Sequence, residues 1–170
     1  VLLILFSFAS VMAVGSVSVF QFAFNLHAVP LAVIGASYSV AAFPVLSRMF
    51  AEGKMEHFAE HIVTAMRHIV FWAVPLTVLM IVLRAQLVRV VLGTGSFNWE
   101  DTRLTAAVFA LLMVALVAHS IQLLLVRSLY AAGNTRIPFF VACVGASVAV
   151  ATAYLGTVWF ATWPALRTFL

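Results

Sequence analysis

The sequence predicts an all-α membrane protein: a bundle of five transmembrane helices. Hydrophobic residues make up 65% of the 170 positions and charged residues only 8%, too few to cover the surface of a soluble domain. No charged residue occurs before Arg48. A single helix over that stretch would be about 70 Å long, whereas the hydrocarbon core of a bilayer is roughly 30 Å thick. The stretch must therefore cross the membrane twice.

The remaining composition excludes several functional classes. The net charge of +4 comes from nine Lys and Arg against five acidic residues, and arginines at membrane edges explain it without a nucleic-acid partner. The single cysteine, Cys143, lies in an apolar run and is interpreted as a packing residue. The chain begins with Val1 and has no basic segment or cleavage pattern typical of a signal peptide. We interpret it as a piece of a longer chain, entered inside a helix.

The uncharged start of the chain divides at its first glycine. We place the first span at residues 1–14 and the second at residues 17–47, with a turn at Gly15. Ser16 or Ser18 is the predicted N-cap of the second helix, because a serine side chain can accept a hydrogen bond from the first free backbone N–H groups.

The second span is interrupted and polar, unlike a simple membrane anchor. Pro30 predicts a kink near the middle, Gly35 follows five residues later, and Pro44 predicts a further bend. Its polar residues are Ser16, Ser18, Gln21, Asn25, His27, Ser37, Tyr38 and Ser39. A helix that lines a cavity needs such groups, because freed backbone and polar side chains inside a membrane require water or protein partners.

The most charged part of the chain separates the second and third spans. Residues 48–64 are predicted to form a juxtamembrane loop with an amphipathic lead-in helix, and Gly53 is the breaker. The third span is placed at residues 65–83 and contains Pro75. Arginines alternating with Leu and Val over residues 84–92 predict a short interfacial helix, which stops at the glycines that follow.

Two further spans complete the predicted bundle. Asn98 is the predicted N-cap of a helix whose membrane span covers residues 102–131 and ends at Gly133. A tight turn leads to Pro138 at the first turn of the fifth span, residues 138–160. The basic residues Arg48, Lys54, Arg67, Arg127 and Arg136 fall on one face of this topology, and the positive-inside rule weakly favours that face as cytoplasmic.

One local pattern resembles a zinc protease motif. His57, Glu60 and His61 match H-x-x-E-H, in which two histidines one helical turn apart hold zinc and the glutamate is the general base. A third ligand is needed, yet the acids downstream are Glu100 and Asp101, on the opposite side of the predicted membrane. We therefore interpret the pattern as a solvated helix, and no metal site is predicted.

Polar residues inside the spans are the candidates for a substrate cavity: Asn25, His27, His119, Gln122 and Arg127. The first two flank Pro30. The histidine and glutamine of the fourth span lie one turn apart, and they either contact substrate or hydrogen-bond to a neighbouring helix. Arg127 either extends to the membrane surface or offers a cation to an anionic headgroup. No carboxylate lies in a span core, and no motif of nucleophilic catalysis or nucleotide binding occurs. We predict neither an enzyme nor a cofactor.

Three segments together resemble one known family. They are GSVSVF at residues 15–20 leading through VPLAVIG at 29–35 to AFPVLS at 42–47, then GSF at 95–97 with Asp101 and Thr102, and last RSLYAAGNTRIP at 127–138. In order and spacing this chain is similar to the MurJ/MviN family of lipid II flippases, within the MATE-like exporter superfamily. The resemblance covers about residues 1–140.

The resemblance implies a place in a larger transporter. Members have about fourteen transmembrane helices in two pseudo-symmetric lobes, and this chain looks like the seventh to eleventh. The implied partners are a lipid-linked cell-wall precursor, membrane lipids and the remaining helices of the full-length chain, in the inner membrane of a bacterium. Transport would follow the alternating-access logic of repeat-built transporters.

One position departs from the family pattern. Well-known members carry a cavity arginine five residues before the proline, where this chain has neutral Asn25. Asn can donate hydrogen bonds to a diphosphate but supplies no charge. A flippase or exporter for another lipid-linked oligosaccharide or a drug, and a non-transporting membrane scaffold, therefore remain alternatives.

Overall fold

The structure, a computed structural model, describes the backbone of residues 16–92 and 99–162 and the side chains of residues 17–90 and 102–155. Within those ranges it is helical apart from short turns, which confirms the all-α class. The helices are α1 (Ser16–Leu31), α2 (Ser37–Ala51), α3 (Met55–Val82), α4 (Arg84–Leu92), α5 (Trp99–Val114), α6 (Leu116–Ala131) and α7 (Arg136–Thr162). Residues Val19–Thr135 pack as one compact unit, and α7 belongs to a second.

Three helices in the described ranges are long and apolar enough to cross a membrane: Val17–Ala51, Met55–Val82 and Arg136–Leu155. The α5 and α6 pair would be a fourth if it counts as one bent span. The first predicted span, residues 1–14, and the predicted cap at Asn98 lie outside the described residues. Together with the composition, these helices make this a membrane protein.

The second predicted span is a continuous helix with a π-helical segment, Ala32–Ala36, joining α1 to α2. Pro30 and Pro44 both lie inside it, and Ser18 is also inside, so Ser18 does not cap the helix. The irregularity begins two residues after Pro30, where the N–H of Ser37 donates to the carbonyl of Ala32. A proline removes one backbone donor, and a wider π turn is one way for a helix to continue past it.

The junction between α2 and α3, where the sequence predicts a short loop broken at Gly53 and an amphipathic lead-in helix, is a three-residue turn. Gly53 has a φ of +71°, and the N–H of Lys54 donates to the carbonyl of Met49 at 3.1 Å, the bonding of a Schellman motif. Only Glu52–Lys54 is non-helical, and α3 then runs unbroken for 28 residues. The rest of residues 48–64 is helical because Gly53 is the only strong breaker in that stretch.

The carboxylate of Glu52 pairs with both basic side chains at this turn. It accepts hydrogen bonds from Lys54 Nζ at 2.7 Å and from Arg48 Nε at 2.9 Å. These hydrogen bonds lower the pKa of Glu52 from 4.5 to about 2, and the bond from Lys54 has the largest effect. The turn is a small ion-pair network on the surface.

We predict a pH dependence that follows from this pKa. Because the folded pKa is depressed, the pairing stabilises the turn fully above pH 4.5 and is lost as the pH falls towards 2. In a ¹³C NMR titration of the side-chain carboxyl, Lys54→Gln should raise the midpoint of Glu52. Glu60→Gln, which removes a distant exposed acid, is the control. A wild-type midpoint near 4.5 would contradict the network.

The core of the larger unit is a seam of small and medium side chains between α2, α3 and α6. Buried residues recur every three or four positions on α2 and α3 and also line α6: Ala42 and Leu46 on α2, Ala65, Ile69 and Ala73 on α3, and Leu124 and Ala131 on α6. Small residues at such spacing let helix backbones approach closely, which drives helix association inside a bilayer. Outward side chains such as Phe71 and Trp72 are 69% and 55% exposed. Small side chains are thus buried and large apolar side chains exposed, which is typical of a helix surrounded by lipid or by further membrane helices.

The fourth predicted span is two helices rather than one. Helices α5 and α6 meet at Ala115 with a bend of 46°. The N–H of Ala115 donates to the carbonyl of Leu112 at 3.1 Å, a tighter i→i−3 bond that ends the first helix. No proline or glycine lies between residues 99 and 131, so the usual sequence signal of a kink is missing here.

The end of α6 agrees with its sequence signal. Gly133 has a φ of +69°, and the N–H of Asn134 donates to the carbonyl of Leu129 at 3.0 Å. This is a second Schellman motif, in which glycine takes the left-handed conformation without steric cost. Pro138 lies in the first turn of α7, where a backbone N–H would find no acceptor within the helix, so proline loses no hydrogen bond there.

Candidate functional site

Helix α1 has one exposed side, which is polar in its first turns and apolar further along. Gln21, Asn25 and Ala28 are exposed and spaced three or four residues apart, so they share one side of the helix. Gln21 Nε2 donates to Asn25 Oδ1 at 3.4 Å. The exposed side continues one turn further to Val29 and then to Val33, which are apolar and 62% and 65% exposed. We name the part of this side that carries Gln21 and Asn25 the polar face of α1.

The buried side of α1 contains an unusual polar group. His27 is only 3% exposed, and its ring stacks on that of His119 from α6, with centroids 6.0 Å apart and planes 16° apart. Phe24 covers it from its own helix, at a centroid distance of 6.3 Å. Among the described residues, neither Nδ1 nor Nε2 of His27 has a hydrogen-bond partner. An unpaired buried polar group is costly, so the site calls for an explanation.

A close contact fixes α6 against the π-helical segment. A Cβ added to Gly35 would lie 2.9 Å from Ser120 Oγ and 3.0 Å from Ser120 Cα. The hydroxyl of Ser120 donates to the carbonyl of Leu116 at 2.8 Å, and that of Ser39 donates to the carbonyl of Gly35 at 2.7 Å. Both serines thus satisfy their own helices while keeping a smooth surface for the contact.

The predicted cavity residues do not form one cluster. The structure brings His27 and His119 together, whereas Asn25 lies on the polar face and bonds to Gln21 instead. Gln122 is exposed and Arg127 half-buried, and within the described part of the chain Arg127 has no hydrogen-bond or ion-pair partner. The candidates therefore fall into a buried histidine pair and separate exposed polar positions.

A comparison with known proteins identifies the family. The family model described as "Lipid II flippase MurJ" matches residues 1–163, nearly the whole chain. The chain belongs to the MurJ family. This agrees with the resemblance seen in its motifs.

Several members of the MurJ family are similar to this chain over most of its length. A probable lipid II flippase MurJ of Bdellovibrio bacteriovorus is 30% identical over 146 residues, which is 86% of this chain and 28% of the relative. A probable lipid II flippase MurJ of Thermotoga maritima is 27% identical over 78% of this chain and 27% of its own length. The lipid II flippase MurJ of Thermosipho africanus is 28% identical over 73% and 25%.

The chain spans about a quarter of the length of the curated MurJ relatives it matches. No solved structure matches the chain. The MurJ relatives are thus much longer than this chain.

The zinc-protease pattern lies in the first turns of α3. His57 Nδ1 and Glu60 Oε2 are 3.7 Å apart, and the two side chains are 67% and 75% exposed. Among the described residues no group of three His, Cys, Asp or Glu side chains could hold a metal ion. The pattern is part of the solvated first turns of α3.

Sequence reasoning missed Ser39 and Ser120 as positioning residues. They do not carry a charge, and nothing in the sequence pairs them. The signal available was their spacing: each lies four residues from another small or buried position of the same continuous helix, Gly35 and Leu124.

Proposed function

We propose that the full-length protein containing this chain is a lipid II flippase, a multi-pass protein of the bacterial inner membrane. Its substrate is an undecaprenyl-diphosphate-linked peptidoglycan precursor, and this chain is the front of its second lobe. Family membership and the names of its relatives support the substrate class. The observation that carries a transport role is the polar face of α1.

Exposing polar side chains on a membrane-spanning helix costs free energy unless they face a water-filled cavity. Val17–Ala51 is long and apolar enough to cross the bilayer, yet Gln21 and Asn25 are exposed near its start. Two amides have four N–H donors and two carbonyl acceptors, and their single mutual bond at 3.4 Å leaves most of these unpaired within the segment. In hydrocarbon such groups are expensive, whereas a water-filled cavity hydrates them.

The same face suits the passage of a diphosphate. Asn25 offers N–H donors to anionic oxygens without holding them as an arginine would, so release on the far side needs less energy. Alternating access by two lobes would expose this face to each side of the membrane in turn. The partners are then the lipid-linked precursor, the surrounding lipids and the remaining helices of the same protein.

Complementation with the full-length gene tests this proposal, in cells depleted of their own lipid II flippase. Wild type should restore growth and Asn25→Leu should not. A lost hydrogen bond to a charged group costs about 1.5–3 kcal/mol, about ten- to a hundredfold in affinity. Asn25→Arg, which restores the residue of well-known family members, should also support growth. Val29→Leu, an exchange of one exposed apolar side chain for another one turn after Asn25, is the matched control and should behave as wild type.

Three results would count against the proposal. Rescue by Asn25→Arg without rescue by a well-expressed wild type points to another cargo, such as a different lipid-linked oligosaccharide or a drug. Failure of every variant points to a membrane scaffold that does not transport. Equal rescue by Asn25→Leu and Val29→Leu removes the polar face from the mechanism.

A further inference from the structure

A second polar feature lies between α4 and α5, away from the polar face of α1. Here the two helices line a partly open cavity of about 330 Å³, and its arginines are exposed. Its lining includes Arg84 and Arg89 from α4 and Thr102 and Arg103 from α5. Ala106 and Ala107 also line it, and their short side chains leave the space open. We name this feature the arginine cavity.

The charge of the arginine cavity is unusual for this chain. Three of its nine Lys and Arg residues line one small space, and none of the described lining residues is acidic. Arg84 and Arg103 differ in this from the two cations at the turn near Glu52, which are both bound by that carboxylate. Guanidinium groups that share a small space repel one another, and an anion among them reverses the sign of the interaction.

Two arginines of the arginine cavity, Arg84 and Arg103, have donors available to a ligand. Arg84 uses one N–H to donate to the carbonyl of Ile81 at 3.2 Å, which orients its guanidinium and leaves four N–H groups. Arg103 has no hydrogen-bond or ion-pair partner among the described residues. A guanidinium presents paired N–H groups whose spacing matches two oxygens of a phosphate.

The position of the arginine cavity indicates which anion it meets. Helix α3, which is long enough to cross a membrane, ends at Val82, and helix α4 begins two residues later at Arg84. The buried Val88 and the adjacent Leu87 pack α4 onto the rest of the unit. The turn near Glu52 is at the other end of α3, about 42 Å away at 1.5 Å per residue. The cavity thus lies where that helix leaves the bilayer, at the level of lipid headgroups.

We propose that the arginine cavity binds the phosphate group of a lipid headgroup. Arg84 and Arg103 would hold its oxygens, and Thr102 lies on the same wall. Both anionic phospholipids and polyprenyl diphosphates carry this group, and the experiment separates them. The proposal concerns binding alone and does not depend on transport. The complementation test therefore neither supports nor contradicts it.

The test measures binding to the purified full-length protein by native mass spectrometry. The probes are phosphatidylglycerol, undecaprenyl diphosphate and inorganic phosphate, each titrated separately. The double variant Arg84→Gln/Arg103→Gln should weaken binding of at least one lipid probe about tenfold, as expected for the loss of charge-assisted bonds. The matched control Arg48→Gln/Lys54→Gln removes the same charge from the opposite end of α3 and should change affinity less than about twofold.

The probe that loses affinity identifies the source of the phosphate. Loss for phosphatidylglycerol identifies a phospholipid site, and loss for undecaprenyl diphosphate identifies a site for the cargo. Equal affinities of wild type and the double variant for both lipids would overturn the proposal, as would an equal loss in the control. If the double variant does not fold, Ala107→Phe decides, because it fills the space and keeps every charge. Unchanged lipid binding by that variant would also overturn the proposal.

Discussion

Gly35→Ala is expected to destabilise the full-length protein by about 1–3 kcal/mol, the usual cost of overpacking a tight interface, and to impair transport. The new Cβ would lie 2.9 Å from Ser120 Oγ and 3.0 Å from Ser120 Cα. A side chain could rotate away, but a backbone atom of α6 cannot move without shifting the helix. Since this close approach joins the π-helical segment to α6, the strain would spread into both. Thermal unfolding in detergent and complementation measure the two effects.

A matched glycine in the same chain provides the control. Gly145 has nothing within 4 Å of its added Cβ, so Gly145→Ala should unfold at the wild-type temperature or slightly above it. Adding Ser120→Gly to Gly35→Ala removes the clashing hydroxyl and Cβ and should restore only part of the lost stability, because the backbone of α6 stays equally near. Equal behaviour of Gly35→Ala and Gly145→Ala would show that the two helices are not this close in the folded protein.

The helix ends show how much of the fold can be predicted from sequence. Gly133 and Gly53 each follow a helical segment, and a left-handed residue is needed where a helix ends in a Schellman motif. Such signals are local, so the sequence contains them. The bend at Ala115 has no local signal, because no proline or glycine accompanies it. The close approach of Gly35 to Ser120 likewise joins residues that are far apart in the sequence.

The candidate site is predictable as a set of residues but not as an arrangement. Asn25 and His27 are candidates together because they are two polar residues beside Pro30. Two positions apart on a helix is about 200° of rotation, so one side chain lies on the polar face and the other is buried. The arginine cavity escapes sequence reasoning for a related reason. In the sequence, each of its arginines can be explained on its own as a residue at the edge of the membrane. Their proximity appears only in the folded chain, where α4 lies against α5.

His27→Leu is expected to raise the stability of the full-length protein while lowering its transport. The imidazole is 3% exposed, and neither nitrogen has a partner among the described residues. An unsatisfied buried polar group costs about 1–3 kcal/mol, and leucine of similar volume removes that cost. The lost ring contacts, stacked on His119 and tilted against Phe24, are worth about 0.5–1.5 kcal/mol, so the net gain should be about 1 kcal/mol.

Transport is expected to fall because stability alone does not account for the histidine. A sequence that keeps a destabilising buried group at a helix contact keeps it for a function, since local rules are broken mainly at functional sites. His119→Leu is the control: that ring is half-buried, and its loss should slightly destabilise the protein through the missing stacking contact. A lower unfolding temperature for His27→Leu would mean that the imidazole has a partner in the remaining helices. A higher temperature with full transport would mean that the histidine pair is only packing, and the polar face of α1 alone would then carry the transport role.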